Sequence, residues 1–368
     1  MTSRVLLLTP SAGLGGGIER YVETLEWAFE SSRVPTDRLD LGSSGVRGQT
    51  QMLSQGVAML RKSQMPTRLV VAHRALLPVS ALLAHERCVT GVSVICHGSD
   101  VWGSRRIYRR SVENWLMRRA FVRVVAVSNY TAGALAGTRP ATVLPPGLSE
   151  KWFRGLVEAS AQCRRADSSV KVVTAFRLID WRKKGLPVVM DAIDSLGRSD
   201  VHLAICGTGE PPAELLQAIH AREHCTLMPS LTDSALAREL AAADLLVLGT
   251  RMASGRCSSG EGFGLALLEA QIAGTPVVAP AFGGSRDAYV EGMTGLAPAD
   301  ESTEALAAVL SQMIADRSRL AAMGRTAANW ARAAFDPEIY ARRAVSSLLE
   351  PDEVPWSRHP ARKIQELN

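Results

Sequence analysis

The chain contains no Asp-x-Asp, no Cys-x-x-Cys and no apolar run of bilayer length, and each absence removes a class of explanation. Without Asp-x-Asp there is no local carboxylate pair to hold a divalent cation beside a phosphate. A metal is accordingly not required by the sequence, and no cofactor is required by the reading that follows. The six cysteines (88, 96, 163, 206, 225 and 257) lack zinc spacing, and several stand in apolar runs such as SVICHG and LAICGTG. A free thiol there behaves as a small hydrophobe, which fits a reducing cytoplasm. No segment approaches the roughly 18 apolar residues that a spanning helix needs. The N-terminus passes from Met1-Thr2-Ser3 into a strand-length run with no cleavable tail after it. A soluble cytoplasmic protein is expected, with peripheral contact at the inner membrane face as its one membrane option.

At 368 residues the chain is long for one domain and comfortable for two, and 46% hydrophobic with 21% charged residues is ordinary globular composition. The net charge of +6 is unevenly spread. Residues 104–123 hold seven arginines (105, 106, 109, 110, 118, 119, 123) and one acid, Glu113, so this segment alone matches the excess of the whole chain. Trp102, Tyr108, Trp115 and Phe121 lie within or beside it. Such a stretch suits anionic lipid, an acidic acceptor or, least of the three, nucleic acid, while a solvated helix face is the plainer reading.

Short apolar strands alternate with helical patterns along the chain. Strands are expected at 5–10, 38–42, 68–74, 92–98, 122–128 and 141–147, and again at 170–177, 201–207, 224–229, 244–250 and 275–280. Two doubly wound parallel sheets follow from this alternation. Residues 150–168 read as a polar connector with no strand, so a first Rossmann-like domain is expected over 1–160 and a second over 161–335. Residues 336–368 remain as a helix and tail.

The most informative stretch is GEGFGLALLEAQIAGTPVVAP, residues 260–280. A glycine loop (260, 262, 264) feeds a short helix whose Leu265, Leu268 and Ile272 form an apolar stripe at about 100° per residue. Glu269 falls inside that stripe, and a carboxylate on a packed face must meet donors. Glu261 lies at the helix N-terminus, where free N–H groups favour an anion.

Glu261-x7-Glu269 within EGFGLALLEA, followed by AGTPVVA, resembles the E-x7-E signature of retaining glycosyltransferase family 4. The resemblance implies the GT-B fold: two Rossmann-like domains facing a central cleft, the last helix crossing back to the first domain. It also implies a nucleotide-diphosphate sugar as donor and retention of anomeric configuration. In the implied roles, His97 orients the donor sugar, Arg177 and Lys184 hold the diphosphate, Glu261 reads the sugar and Glu269 the ribose. Gly16 and Gly17 match the family's first loop. Gly207, Gly209, Leu231, Gly262, Phe263, Gly264 and Leu265 line the donor side, and Asp100 is a weaker candidate for the acceptor side.

The match has departures. Phe176 replaces a customary glycine, Arg182 or Lys183 competes with Lys184 for the diphosphate, Asp287 stands where a Glu is common, and residues 250–259 are an insertion. Two alternatives accompany the transferase reading: a nucleotide-sugar 2-epimerase on the same architecture, and a non-catalytic protein that binds sugar-nucleotide or a membrane surface.

Overall fold

The computed structural model describes residues 4–10, 16–63, 65–102, 107–163, 169–251 and 260–350, with backbone alone for Ser99 and Ile107. They form two units. The first takes the described residues of Met1–Leu14, Ile18–Gly147 and Glu338–Asn368, and the second those of Gly15–Gly17 and Leu148–Pro337.

In the first unit, β1 (Arg4–Thr9), β2 (Thr36–Asp40), β3 (Thr67–Val71), β4 (Val89–Cys96), β5 (Val122–Ala126) and β6 (Thr142–Val143) pair in parallel in the order β2-β1-β3-β4-β5-β6. Helices α1 (Gly17–Ser31), α2 (Gly45–Lys62), α3 (Leu77–Leu83), α4 (Ser99–Trp102), α5 (Ile107–Met117) and α6 (Asn129–Leu135) alternate with them. Val5 to Leu8 on β1, and Leu69, Val70, Val92, Val94 and Ile95 on β3 and β4, are all buried. Burial of consecutive residues shows that both faces of the sheet are covered, as in doubly wound folds. On α1, Tyr21, Val22, Leu25, Ala28 and Phe29 face the core.

The second unit repeats the plan. Strands β7 (Val170–Arg177), β8 (Val201–Thr208), β9 (Cys225–Pro229), β10 (Leu245–Val247), β11 (Val277–Val278) and β12 (Gly295–Leu296) form a parallel sheet in the order β12-β11-β10-β7-β8-β9. Around it lie α7 (Glu150–Gln162), α8 (Leu186–Ser195), α9 (Ala213–His220), α10 (Asp233–Ala242), α11 (Leu265–Ile272), α12 (Thr303–Ile314) and α13 (Arg317–Ala334). The final helix, α14 (Pro337–Leu349), belongs to the first unit from Glu338 onward. There Ser93 Oγ donates to the Leu348 carbonyl at 2.7 Å and Arg123 Nη1 to that of Ser347 at 3.1 Å.

In each sheet the chain winds outward on one side and then starts again on the other. The reversals fall between β1 and β3 and between β7 and β10. Crevices at the carboxyl ends of strands flanking such a reversal are where doubly wound sheets bind ligands.

Two local expectations are corrected. Residues 150–162 are the helix α7 and not a polar connector, because Trp152, Leu156 and Ala159 recur at i, i+4 and i+7 and are buried. The division between units accordingly falls between Gly147 and Leu148, and the later one between Pro337 and Glu338. Residues 282–298 carry a 3-10 turn (Gly284–Ala288) and β12. Helix α11 has no single apolar stripe: Leu267 to Ile272 are buried all round and Leu265 is half-buried. A helix enclosed on every side buries polar positions along with apolar ones.

Candidate active site

At the β7/β10 reversal the loops bring a cation, a hydroxyl and a carboxylate together. After β7 the chain makes a 3-10 turn (Leu178–Asp180) and reaches Gly185, the N-cap of α8, at φ +70°. A Cβ at Gly185 would lie 1.7 Å from the Gly249 carbonyl oxygen. Only glycine accepts both the left-handed backbone and that approach. The close approach seats Lys184 beside the segment that leaves β10. Lys184 Nζ donates to Glu261 Oε2 at 2.7 Å, and Thr250 Oγ1 donates to the same oxygen at 3.3 Å. Among the described residues Oε1 of Glu261 receives no hydrogen bond. The Lys184 and Glu261 side chains are 26% and 15% exposed, so the pair is sheltered yet reachable from solvent.

The Glu261 backbone is held as well, since its carbonyl accepts from Gly284 N at 2.8 Å. A Cβ on Gly284 would stand 1.8 Å from the Gly262 carbonyl oxygen, so the two loops can touch only through glycine. Gly264, at φ +92°, caps α11. The first hydrogen bond of this helix runs from Leu267 N to Gly264 O, which leaves the amides of Leu265 and Ala266 as helix-start donors. Phe263 is buried against Phe335, edge to face at 5.9 Å, and anchors the loop.

Glu269 is buried on α11, and Trp152 Nε1 donates to its Oε1 at 2.9 Å. At least one donor that this carboxylate requires is thus a protein group. Arg177 is exposed at the end of β7 and donates to Asp180 Oδ2 at 2.6 Å. Of the competing cations, Arg182 donates to Glu214 at 2.5 Å and lies over the Trp181 ring, while Lys183 is 3.9 Å from Asp180. Lys184 alone of these three pairs with Glu261. Gly207 ends the buried part of β8, and its carbonyl accepts from Ser230 N at 2.7 Å. Gly209 has φ +87°, and the half-buried Leu231 precedes α10, which Thr232 caps.

In the first unit, His97 follows β4. Its Nε2 lies 2.7 Å from the Ala72 carbonyl at the end of β3. A carbonyl only accepts, so Nε2 carries the proton and Nδ1 is the basic nitrogen. Tyr21 packs edge to face on the ring at 5.0 Å. Burial holds the imidazole pKa below its ordinary value against the opposing effect of Asp100. Asp100 is itself buried, and its Oδ1 accepts from the amides of His97 and Gly98, both at 2.9 Å. That carboxylate shapes the turn bearing His97. Gly16, at φ +108°, and Gly17 lead into α1. Residues 252–259 of the insertion, Cys257 among them, and Arg105 and Arg106 lie outside the described residues.

Two partners escaped the sequence reading. Trp152 had a signal, the i, i+4, i+7 spacing in a segment judged polar. Thr250 had none beyond its place at the end of a strand.

Residues 165–330 match the family described as Glycosyl transferases group 1. Over 287 residues the chain is 29% identical to the GDP-mannose-dependent alpha-(1-6)-phosphatidylinositol monomannoside mannosyltransferase of Mycobacterium tuberculosis (strain CDC 1551 / Oshkosh), with 74% of each chain covered. With the D-inositol 3-phosphate glycosyltransferase of Corynebacterium urealyticum it shares 26% over 415 aligned positions, covering 95% of this chain and 96% of the relative. Among solved structures, Anabaena Alr3699/HepE in complex with UDP is similar at a TM-score of 0.73 and 18% identity, covering 94% of this chain and 99% of that one. Sucrose-phosphate synthase from Thermosynechococcus elongatus gives a TM-score of 0.76 at 20% identity, covering 92% and 97%. With residues 165–330, most of the second unit, similar to glycosyl transferases group 1, the chain is a glycosyltransferase of GT-B fold.

Proposed function

We propose that the chain is a retaining hexosyltransferase that moves a sugar from a nucleotide-diphosphate donor to an acceptor hydroxyl in antibiotic, polysaccharide or glycolipid synthesis, without a metal. The observation that carries this reading is the Lys184–Glu261–Thr250 cluster at the β7/β10 reversal, beside the N-terminus of α11.

An ammonium has three N–H donors, so Lys184 can keep Glu261 and still donate to a phosphate oxygen. Arg177 and the amides of Leu265 and Ala266 would add further fixed positive ends. Aimed at the departing nucleoside diphosphate, these groups stabilise charge as it develops. Glu261, held through Oε2, has Oε1 to accept from a sugar hydroxyl. Glu269 reads the ribose, and the donor-side segments at Gly207, Gly209, Leu231 and 262–265 complete the nucleotide site. His97 orients the sugar as a neutral imidazole, Gly16 and Gly17 serve the donor phosphates, and Asp100 supports the acceptor side by holding the His97 turn. The leaving phosphate takes the acceptor proton, so no protein base is assigned.

The relatives' names suggest which donors to try first. Melting curves with GDP, UDP, GDP-mannose and UDP-glucose test the donor site. A ligand at about 100 times its Kd adds about 2.7 kcal/mol to the folded state, or roughly 5–10 °C for a unit of this size. Transfer with that donor should survive EDTA and keep the anomeric configuration, read by NMR of the product. No shift with any nucleotide, or turnover that yields a donor isomer without acceptor, defeats the proposal.

A further inference from the structure

We propose that the outward face of α5, with the arginines gathered at its C-terminal end, is a docking surface for a bilayer containing anionic lipid. The inference rests on this helix and the arginines beside its end, and not on the donor site.

The only acid of residues 104–123 points inward. Glu113 is fully buried, accepting from Arg74 Nε at 2.9 Å and Arg109 Nε at 3.1 Å, and Arg74 also donates to Asn114 Oδ1 at 2.6 Å. Arg74 and Arg109 are used in fixing the helix to the body of the unit. The opposite face carries what is left. Tyr108, Val112 and Trp115 recur at i, i+4 and i+7, within an arc of about 60°, and are 66%, 46% and 55% exposed. Isolated apolar residues on a surface are unremarkable, but two aromatics and a valine on one line of one helix form a continuous stripe.

Cations collect at the end of that stripe. The Arg119 guanidinium sits 3.6 Å from the centroid of the Trp115 ring. Arg118 donates to the carbonyls of Thr138 and Gly137, at 3.3 and 3.5 Å. Arg139 donates to the carbonyls of Arg118 and Arg119, at 3.4 and 3.1 Å. Among the described residues none of these three, nor the exposed Arg110, is ion-paired with an acid. Backbone carbonyls hold Arg118 and Arg139, and the Trp115 ring holds Arg119 beside them.

The combination selects the occupant. Amphipathic aromatic rings favour the headgroup level of a bilayer, and a stripe of them beside arginines and without acids matches an interfacial helix. Guanidinium groups pair with phosphate through planar forks. A soluble polyanion would satisfy the arginines but leave Tyr108, Val112 and Trp115 exposed to water.

The test is co-sedimentation of the full chain with vesicles of phosphatidylcholine alone and of phosphatidylcholine mixed with phosphatidylglycerol. Partition into the mixed vesicles is expected, weakened by salt and small with the neutral ones. Each of Arg118→Ser, Arg119→Ser and Arg139→Ser should lower it about five-fold, and the three together on the order of 100-fold. Tyr108→Ser with Trp115→Ser should lower it at every salt concentration while the melting temperature stays at the parent's value. Equal binding to neutral vesicles, full binding by the triple variant, or retention on single-stranded DNA or polyphosphate with none on vesicles would overturn the proposal.

Discussion

Replacing Lys184 with methionine keeps the side chain's length and apolar stem and removes one charge, so it separates what the ammonium does from what the stem fills. Lys184 Nζ sits 2.7 Å from Glu261 Oε2. A hydrogen bond between charged groups contributes about 1.5–3 kcal/mol. With the lysine side chain about a quarter exposed, water can rehydrate Glu261, and Thr250 still donates to it. The loss of stability therefore falls at the lower end, about 1.5 kcal/mol, or roughly 3–6 °C in melting temperature for a unit of this size.

The effect on turnover should be far larger. Removing one preorganised donor from a developing oxyanion slows a reaction by about 100–1,000-fold, and Lys184 is assigned such a place at the departing diphosphate. The assay is acceptor-dependent release of nucleoside diphosphate, set beside the melting curve of the same preparation. Lys184→Arg should recover only part of the rate, because a planar fork does not replace a point charge in the same space. A methionine variant that melts a few degrees lower yet transfers sugar at nearly the parent rate would show that the Lys184–Glu261 pair is structural, and would refute the reasoning.

Glu269 can be divided in the same manner. Glu269→Gln keeps an oxygen for Trp152 and should melt like the parent but lose stabilisation by nucleotide. Glu269→Ala strands a buried indole N–H and should cost a further 1–3 kcal/mol or so of stability. Full nucleotide stabilisation of the Gln variant would reduce Glu269 to a partner of Trp152. His97 gives a pH prediction. Its folded pKa is depressed, so below about pH 6.5 the unfolded chain takes up a proton before the folded one does, and stability falls as pH falls. His97→Gln, whose amide can still donate to the Ala72 carbonyl, should lose less melting temperature between pH 7 and 5. A parallel decline in both proteins would count against the buried neutral imidazole.

Much of this architecture was legible because it depends on local alternation. The runs VLLLTP, RLVVAHR, VSVICHG and VKVVTAFR are mostly apolar, and the structure uses each as a strand buried over most of its length. β12 was hidden because its two residues, Gly295 and Leu296, stand in no apolar run. Trp152 was missed for a different reason. Its helix is mostly polar, and the apolar positions that bury it are spaced widely enough to be lost in the average composition of the segment.

The site shows where sequence reasoning stops. Glu261, Glu269 and Lys184 were identifiable as residue types at an informative spacing. Which donor would meet which carboxylate was not, because partner choice is decided by tertiary approach. Lys184 reaches Glu261 across 77 positions, and Trp152 reaches Glu269 across 117. In the first case the approach depends on Gly185 and Gly249, whose backbones meet at a distance that no side chain tolerates. The Lys-Gly pair in the sequence is thus one device with two parts: the glycine lets the loop after β7 lie against the end of β10, and the lysine uses that proximity. A cation placed at 182 or 183 lacks this geometry, and there the structure pairs it with Glu214 or sets it near Asp180. The residue before the glycine is the one that the fold can deliver to the carboxylate.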